Sequence, residues 1–267
     1  MAITTVDLAL AGMKPAEFYS KALTGTLVAG RPFSPFYLAG IPGAATAPSP
    51  GVAGAALTSY AGQIGIPAAS GNTHLARASF TSSAQAGNII VYDRLWHNSG
   101  IVVTTTTAQT INSVTWPARD RNGATSGAGV YIGMEVSTVT GAGASVISIS
   151  YTNSAGTAGR TGTAVDVYAA TSAAGSFYRF ALQAGDVGVQ SVQSFTSTVS
   201  MTSGTVHLVA YRVLAQLELT AAGLSGVIDP VTGGLGREYD TTVPSILYLP
   251  QTTTTTQLTG SVIHTQG

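Results

Sequence analysis

One stretch of the chain constrains the fold more than any other: Gly204–Leu219, with the sequence GTVHLVAYRVLAQLEL. Read with the two-residue period of a β-strand, both of its faces are apolar. One face carries Val206, Leu208, Ala210 and Leu214, and the other carries Val209, Tyr211, Val213 and Ala215. A strand that is apolar on both faces is covered on both sides, and its polar members His207 and Arg212 then need partners. The stretch predicts the central strand of a β-sandwich.

Further short strands follow one another from residue 74 onward, separated by turns that contain Gly, Ser or Asn. The predicted strands are His74–Phe80, Asn88–His97, Ile101–Thr106, Thr110–Trp116, Val130–Thr138, Ser145–Tyr151, Ala164–Ala170, Ser176–Leu182, Val189–Val199, Thr205–Leu219, Ser245–Leu249 and Gln257–His264. Two of them, Val130–Thr138 and Ser145–Tyr151, are expected to pair as a hairpin across Gly141–Gly143. With no crossover helices between strands, the pattern predicts an all-β, antiparallel, jelly-roll-like sandwich over residues 74–267.

Residues 1–73 have a different character and are expected to form an N-terminal arm. Pro15, the i,i+4 pair Glu17–Lys21 and Gly25 together predict one short helix. Residues 30–72 are rich in Pro and Gly and show neither a helical nor a strand period, so this segment is expected to be extended. Its aromatic side chains suggest that it lies along a surface. That surface is either a neighbouring subunit or the chain's own domain.

Charged residues make up only 8% of the chain, and the eleven acidic and eleven basic side chains cancel. A surface so short of charge suits a protein that is covered in an assembly better than a free monomer. The balance gives no reason to expect a nucleic acid or a membrane as a direct partner. There is no cysteine, which excludes disulfides and thiolate metal sites. The N-terminus has no basic region before its apolar residues, and no apolar run reaches the ~18 residues of a membrane span. We therefore expect synthesis in the cytoplasm.

No catalytic motif stands out. The four histidines at positions 74, 97, 207 and 264 lie far apart and form no metal-binding pair, so each is expected to be a hydrogen-bonded strand residue. We predict no enzymatic activity, no cofactor and no metal.

The acidic residues also stand alone in sequence. Asp93-Arg94 and Asp120-Arg121 suggest local ion pairs, and the cluster Arg237–Asp240 reads as an exposed loop. Trp96 and Trp116 could line a sugar site, although strand-like surroundings favour a place in the core.

Several longer segments resemble virion structural proteins of tailed bacteriophages, which are small, cysteine-free and rich in Gly, Ala and Thr. The segments are Leu95–Gly123, Gly127–Gly143, Ser148–Thr161 and His207–Leu219. The resemblance covers roughly residues 30–267 and is closest to decoration or minor head proteins. It implies an all-β fold, assembly as an oligomer on the capsid lattice, and no chemistry.

The resemblance and the composition together predict a non-enzymatic component of the phage head, a decoration or cement protein. Its expected partners are the major capsid protein and further copies of itself, with a trimer as the expected oligomer. The residues expected to contact neighbouring subunits or the capsid are Phe18, Tyr19, Phe33, Phe36 and Tyr37. Two alternatives remain open: a receptor- or glycan-binding sandwich of a tail or fibre, and a jelly-roll shell protein.

Overall fold

The computed structural model describes residues 3–68, 71–143, 145–166, 168, 171–234 and 236–267. Within these residues the helical elements are short: α1 (Val6–Ala11), a 3₁₀ turn (Pro35–Tyr37) and α2 (Pro230–Gly233). The strands are β1 (Glu17–Leu23), β2 (Gly40–Ile41), β3 (Ala55–Ala56), β4 (Thr73–Ser82), β5 (Gly87–His97), β6 (Gln109–Thr110), β7 (Val130–Thr138), β8 (Ile147–Asn153), β9 (Arg160–Ala164), β10 (Phe177–Ala181), β11 (Val189–Ser197), β12 (Thr205–Leu219), β13 (Ser225–Ile228), β14 (Gly236–Glu238), β15 (Pro244–Pro250) and β16 (Thr256–Gln266). No helix in the described ranges is long and apolar enough to cross a membrane.

The strands form two sheets, and every strand pairing in the described residues is antiparallel. Sheet 1 has the order β13-β4-β16-β1-β2, with β14 also paired to β4. Sheet 2 has the order β15-β5-β12-β7-β10-β9-β8-β11-β6, with β3 paired to β5, and it curls into a half-barrel. The predicted all-β, antiparallel sandwich is confirmed.

Two large apolar cores result from this arrangement. The first lies inside the curl of sheet 2, where β5, β7, β8, β10, β11 and β12 all contribute side chains. The second lies between sheet 1 and the β15-β5-β12 part of sheet 2. A smaller cluster around Tyr92, Phe177 and Tyr211 covers the other face of sheet 2.

Strand β12 contributes side chains to both cores. It lies between β5 and β7. Val206, Leu208 and Ala210 belong to the first core, whereas Leu217 and Leu219 belong to the second. Register shifts against β5 between Ala210 and Tyr211 and between Val213 and Ala215 mark bulges. Because a bulge adds an unpaired residue, it changes which side chains point to a given face, so one strand can serve both cores.

The helix predicted around residues 15–25 is wrong, because most of this segment is β1. All seven residues of β1 pair with β16, from Glu17 opposite Val262 to Leu23 opposite Thr256. Tyr19 and Leu23 are buried in the second core while Phe18 is exposed, which is the two-residue period of a strand. Pairing with a strand from the C-terminus outweighs the local helical preference. The helix α1 lies earlier, capped by Thr5, whose side chain accepts a hydrogen bond from the amide of Leu8.

The extended segment after β1 wraps around the sandwich of its own chain, which was one of the two alternatives. The amide of Phe33 donates to the carbonyl of Tyr248 on β15, at 2.7 Å. Leu27 and Phe33 belong to the second core. The side-chain amine of Lys21 donates to the carbonyls of Pro35 and Phe36, at 3.1 and 3.3 Å.

The predicted hairpin between Val130–Thr138 and Ser145–Tyr151 is wrong. Strand β7 lies between β12 and β10, whereas β8 lies between β9 and β11. Gly141 and Gly143 are required for a different reason, because a Cβ on either one would collide with the segment Ser200–Ser203. The glycines allow a close approach between two loops and do not make a two-strand turn.

Three other predicted strands differ from the structure. Ile101–Thr106 is irregular, and only the first residue of Thr110–Trp116 belongs to a strand, β6. Both loops nevertheless deliver apolar side chains to the first core, which explains their strand-like composition. Of Ala164–Ala170, only Ala164 lies in a strand, the end of β9, and residues 167, 169 and 170 lie outside the described part of the chain.

Candidate interaction surface

The charged side chains are distributed unevenly between the interior and the surface. Nine of them are buried: Lys21, Arg31, Asp93, Arg94, Arg119, Asp120, Glu135, Arg212 and Glu238. Five are exposed: Asp7, Arg77, Arg121, Glu218 and Asp240. In the described residues, eighteen large apolar side chains are exposed as well. The molecular surface is thus poorer in charge than the composition alone suggests.

A buried ion pair anchors the N-terminal segment to sheet 2. Arg94 Nη2 on β5 lies 2.8 Å from Glu135 Oε2 on β7, and neither side chain is exposed. The hydroxyl of Tyr37 donates to the same carboxylate oxygen at 2.6 Å. The ring of Phe36 packs on the Arg94 guanidinium, 4.6 Å from centroid to Cζ. Burial alone would raise the pKa of Glu135, but the Arg94 guanidinium holds it below its usual range.

A second buried network surrounds Asp93. Both of its carboxylate oxygens accept hydrogen bonds from Arg119, at 2.9 and 3.0 Å, and the amide of Val243 donates to one of them. Arg212 lies further away, 3.6 Å from Asp93 Oδ2. The expected local pair Asp93-Arg94 is therefore wrong: adjacent residues in a strand point to opposite faces, so each forms its ion pair with a residue distant in sequence.

The expected local pair Asp120-Arg121 is wrong for another reason. The Asp120 carboxylate accepts hydrogen bonds from four backbone amides and from the hydroxyl of Ser126. These donors lower the pKa of Asp120, although burial acts to raise it. The carboxylate thus organises the loop of residues 120–128, and the side chain of Arg121 forms no ion pair with any of the described residues.

The cluster Arg237–Asp240 is only partly the exposed loop that was expected. Glu238 is fully buried, and its Oε2 lies 2.6 Å from His264 Nδ1. The other ring nitrogen of His264 lies 3.1 Å from the carbonyl of Gly65. These contacts of His264 join β14 to β16 and to the N-terminal segment, so Glu238 belongs to the interior.

All four histidines lie in strands, as predicted, although the buried Nδ1 of His74 has no hydrogen-bond partner among the described residues. His207 Nδ1 donates to the carbonyl of Asn98 at 2.8 Å, and its Nε2 lies 2.7 Å from the hydroxyl of Ser137. His97 accepts a hydrogen bond from Arg94 Nε at 3.3 Å. Burial, and then the charge of Arg94, lower the pKa of His97 to about 3. Among the described residues, no group of three or more His, Asp or Glu side chains could hold a metal ion.

The five residues predicted to contact neighbouring subunits or the capsid have different environments. Tyr19, Phe33 and Phe36 are buried within the chain, at 5%, 2% and 1% exposure. Tyr37 is half-buried against Glu135. Only Phe18, 70% exposed, has its ring available to a partner. The structure does not bring the five together.

Phe18 lies on the outer side of sheet 1, where two rows of side chains are uncharged and rich in hydroxyl groups. Two rows of side chains cross four strands in register here. One row is Phe18, Ser261, Ser79 and Val227, and the next is Ser20, Thr259, Thr81 and Ser225. The neighbours that alternate with them, such as Tyr19, Phe80 and Leu258, are buried in the second core. We call these two rows, with Ala22 and Gln257 beyond them, the outer face.

An apolar cleft adjoins one end of the outer face. It has a volume of about 480 Å³ and is lined by α1 and the residues beside it, by β4 and by the start of α2. Its rim exposes Val6, Leu10 and Val231, at 73%, 61% and 92%. The charged side chains that line it are Arg77 and Asp229.

Sheet 2 has a second hydroxyl-rich face, formed by β8, β9 and β11. Ser150 lies opposite both Thr161 and Ser194, and Ser148 lies opposite both Thr163 and Thr196. Among the described residues, these two rows contain no aromatic side chain. The comparison favours the outer face of sheet 1 as a contact surface, because aromatic and other large apolar side chains contribute most to binding at interfaces.

The two tryptophans lie in the first core and contact each other edge to face, with their ring centroids 5.5 Å apart. The indole N–H of Trp96 donates to the carbonyl of Ala53, and that of Trp116 to the carbonyl of Val189. Both side chains are buried, so neither can stack on a sugar. The core interpretation is confirmed.

Comparison with known proteins identifies no match: no family model, no curated protein and no solved structure is significantly similar to this chain.

Sequence reasoning missed the outer face, although a signal for it was present. In β4 and β16, Ser or Thr alternates with apolar residues, as in Ala78-Ser79-Phe80-Thr81. This alternation places hydroxyl groups on one side of a strand and apolar groups on the other. The alignment of the rows depends on which strands pair and in what register, and the residues that pair lie far apart in the sequence.

Proposed function

We propose that this protein is a non-enzymatic structural component of a bacteriophage virion. It attaches to the phage head as a decoration or minor capsid protein, after synthesis in the host cytoplasm. The major capsid protein is its partner through the outer face and the apolar cleft, and further copies of the chain complete a homo-oligomer. The resemblance of the sequence to virion proteins supports the identity of the particle, and the surface supports the mode of attachment.

The observation that carries this proposal is the small number of fully exposed charged side chains. Only five of the twenty-two charged side chains are exposed, while eighteen large apolar side chains are. Charged surfaces keep soluble proteins apart, and removing charges from water on binding is costly. A surface with few of them can be covered at a lower desolvation cost, which suits a protein that spends its lifetime inside an assembly.

The outer face offers a defined contact of suitable chemistry. Serine and threonine hydroxyls both donate and accept hydrogen bonds, so they can satisfy backbone or side-chain groups of a partner. Phe18 and Val227, 70% and 44% exposed, supply apolar contact at the two ends of one row. Burying a large apolar side chain contributes about 1.5–3 kcal/mol.

The size of the outer face shows why the cleft is needed as well. With strands ~4.8 Å apart and ~6.7 Å between side chains on one side of a strand, the ten side chains of the outer face cover about 300 Å². A stable interface buries about 800 Å² on each partner. The exposed side chains of α1 and of the cleft rim supply the remaining area.

Within the N-terminal segment, this proposal keeps Phe18 as a contact residue and gives the other aromatic residues a supporting role. Tyr19 and Phe33 fill the second core beneath the outer face, and Phe36 and Tyr37 hold the segment onto Arg94 and Glu135. The segment thus stabilises the sheet that presents the contact. A glycan-binding module gains no support, because both tryptophans are buried.

The test is binding to phage heads assembled without this protein. Thr259→Lys places a charge at the centre of the outer face, and we expect it to reduce co-sedimentation with heads by tenfold or more. Thr161→Lys is the matched control, because Thr161 is an exposed strand threonine on the hydroxyl-rich face of sheet 2. It should bind like the unmodified protein.

Three outcomes would overturn parts of this proposal. If the unmodified protein does not bind heads, the virion assignment fails. Equal binding by Thr259→Lys and the unmodified protein would remove the outer face from the contact. Loss of binding only in Thr161→Lys would transfer the contact to sheet 2.

A further inference from the structure

Two arginines line a second cavity, away from the outer face, at the point where β7 begins beside β12. The cavity has a volume of about 360 Å³ and is lined by Arg121, Gly129, Tyr131, Arg212 and Val213. Val130, the first residue of β7, lies opposite Arg212, so the cavity lies beside the last residue pair between β7 and β12.

Arg212 is a buried cation whose charge and hydrogen-bond donors are only partly satisfied by the surrounding residues. It is 7% exposed, and its Nη2 donates to the carbonyl of Arg237 at 2.8 Å. Its Nε is buried and has no hydrogen-bond partner in the described part of the chain. The nearest carboxylate, that of Asp93, lies 3.6 Å away and already accepts hydrogen bonds from Nε and Nη2 of Arg119. A buried N–H of a charged group that lacks an acceptor is costly, so an acceptor supplied from outside would be favourable here.

Arg121 brings a second positive charge to the same cavity. Its side chain is exposed and forms no hydrogen bond or ion pair with the described residues. Its position is fixed, because Asp120 organises the loop of residues 120–128 and the amide of Arg121 donates to the carbonyl of Ala128. Arg121 and Arg212 thus line the same cavity, and no carboxylate of the described residues pairs with Arg121.

We propose that this cavity binds an oxyanion group, the carboxylate or phosphate end of a ligand, between Arg121 and Arg212. Guanidinium groups bind both kinds of anion through parallel N–H···O bonds. The Nε of Arg212 supplies one donor and the guanidinium of Arg121 supplies further donors, and Tyr131 lines the same cavity. This site is independent of the proposed attachment to the head, because none of its lining residues belongs to the outer face or to the apolar cleft.

The test follows the Nε–H signal of Arg212 by ¹H–¹⁵N NMR spectroscopy of the full-length protein. Inorganic phosphate and sodium acetate are titrated separately, at constant ionic strength, with chloride as the reference anion. We expect a saturable shift of the Arg212 signal with at least one of the two anions. A response to phosphate alone identifies a phosphate group as the ligand, and a response to acetate identifies a carboxylate.

Two variants make the result specific. Arg121→Gln removes an exposed charge that has no partner in the fold, and we expect it to weaken anion binding by tenfold or more. Arg77→Gln removes a different exposed arginine and should leave binding unchanged. The proposal is overturned if neither anion gives a saturable shift, or if both variants respond like the unmodified protein.

Discussion

Acidification should destabilise this protein through His97. The ring is 2% exposed, accepts a hydrogen bond from Arg94 Nε at 3.3 Å, and contacts the ring of Tyr60 at a centroid distance of 4.7 Å. Burial and the nearby Arg94 lower its pKa from 6.5 to about 3. The folded protein therefore keeps His97 neutral at pH values where the unfolded chain is protonated. Because the unfolded state binds more protons below pH 6.5, the free energy of unfolding falls as the pH falls from 6.5 towards 3.

The size of the effect follows from the two pKa values. At pH 5, about 1.5 units below the unfolded value, the loss due to His97 is about 2 kcal/mol. Burial also lowers the pKa of His207, so that residue adds a loss of the same sign. Urea unfolding at pH 7 and at pH 5 measures the total. His97→Gln keeps an acceptor for Arg94 but cannot be protonated, so the variant should lose about 2 kcal/mol less than the unmodified protein between the two pH values.

The comparison uses the change with pH and not the absolute stability, since His97→Gln also alters packing against Tyr60. Arg77→Gln, which changes an exposed residue, should show the pH dependence of the unmodified protein. If His97→Gln loses as much stability between pH 7 and pH 5 as the unmodified protein, His97 is protonated in the folded state and the reasoning fails.

Three further predictions concern the interior and the assembly. Glu135→Gln leaves Arg94 as a buried, unpaired cation and should reduce the free energy of unfolding by ~3 kcal/mol, whereas Glu218→Gln on the surface should change it by less than ~1 kcal/mol; equal effects would show that the buried ion pair does not stabilise the fold. Leu217→Ala, in the second core, should cost ~3 kcal/mol in urea unfolding, against a small effect for the exposed Leu224→Ala; a small effect at both sites would mean that β12 does not serve the second core. Sedimentation equilibrium of the full-length protein should give the mass of a closed homo-oligomer, and a monomer at every concentration would refute self-assembly.

Several strands of this chain could be predicted from the sequence because the alternation of apolar residues that marks a strand lies within the strand itself. In β12 and β7 the predicted limits agree with the structure, since alternation over nine or more residues leaves little ambiguity. The requirement that His207 and Arg212 find partners also followed from the two apolar faces. In contrast, the segment of β1 carries a helix-like i,i+4 pair, Glu17 and Lys21, and its true partner β16 begins more than 200 residues later.

The charged interior could not be predicted from adjacent residues. Asp93 and Arg94 are neighbours in sequence, yet they belong to different networks, with Arg119 on one side of β5 and Glu135 on the other. The low charge of the composition did point to a surface with little charge. The location of the outer face depended on the pairing of β1, β16, β4 and β13, which brings together residues from both ends of the chain.

Attachment through the outer face can be measured by photo-crosslinking on assembled phage particles. A benzophenone amino acid is introduced in place of Phe18 on the outer face, and at Thr161 on sheet 2 as the matched position. We expect a crosslink to the major capsid protein from position 18 and none from position 161. Crosslinking from position 161 alone, or from neither position in particles that contain the protein, would contradict the claim that the outer face is the surface of attachment.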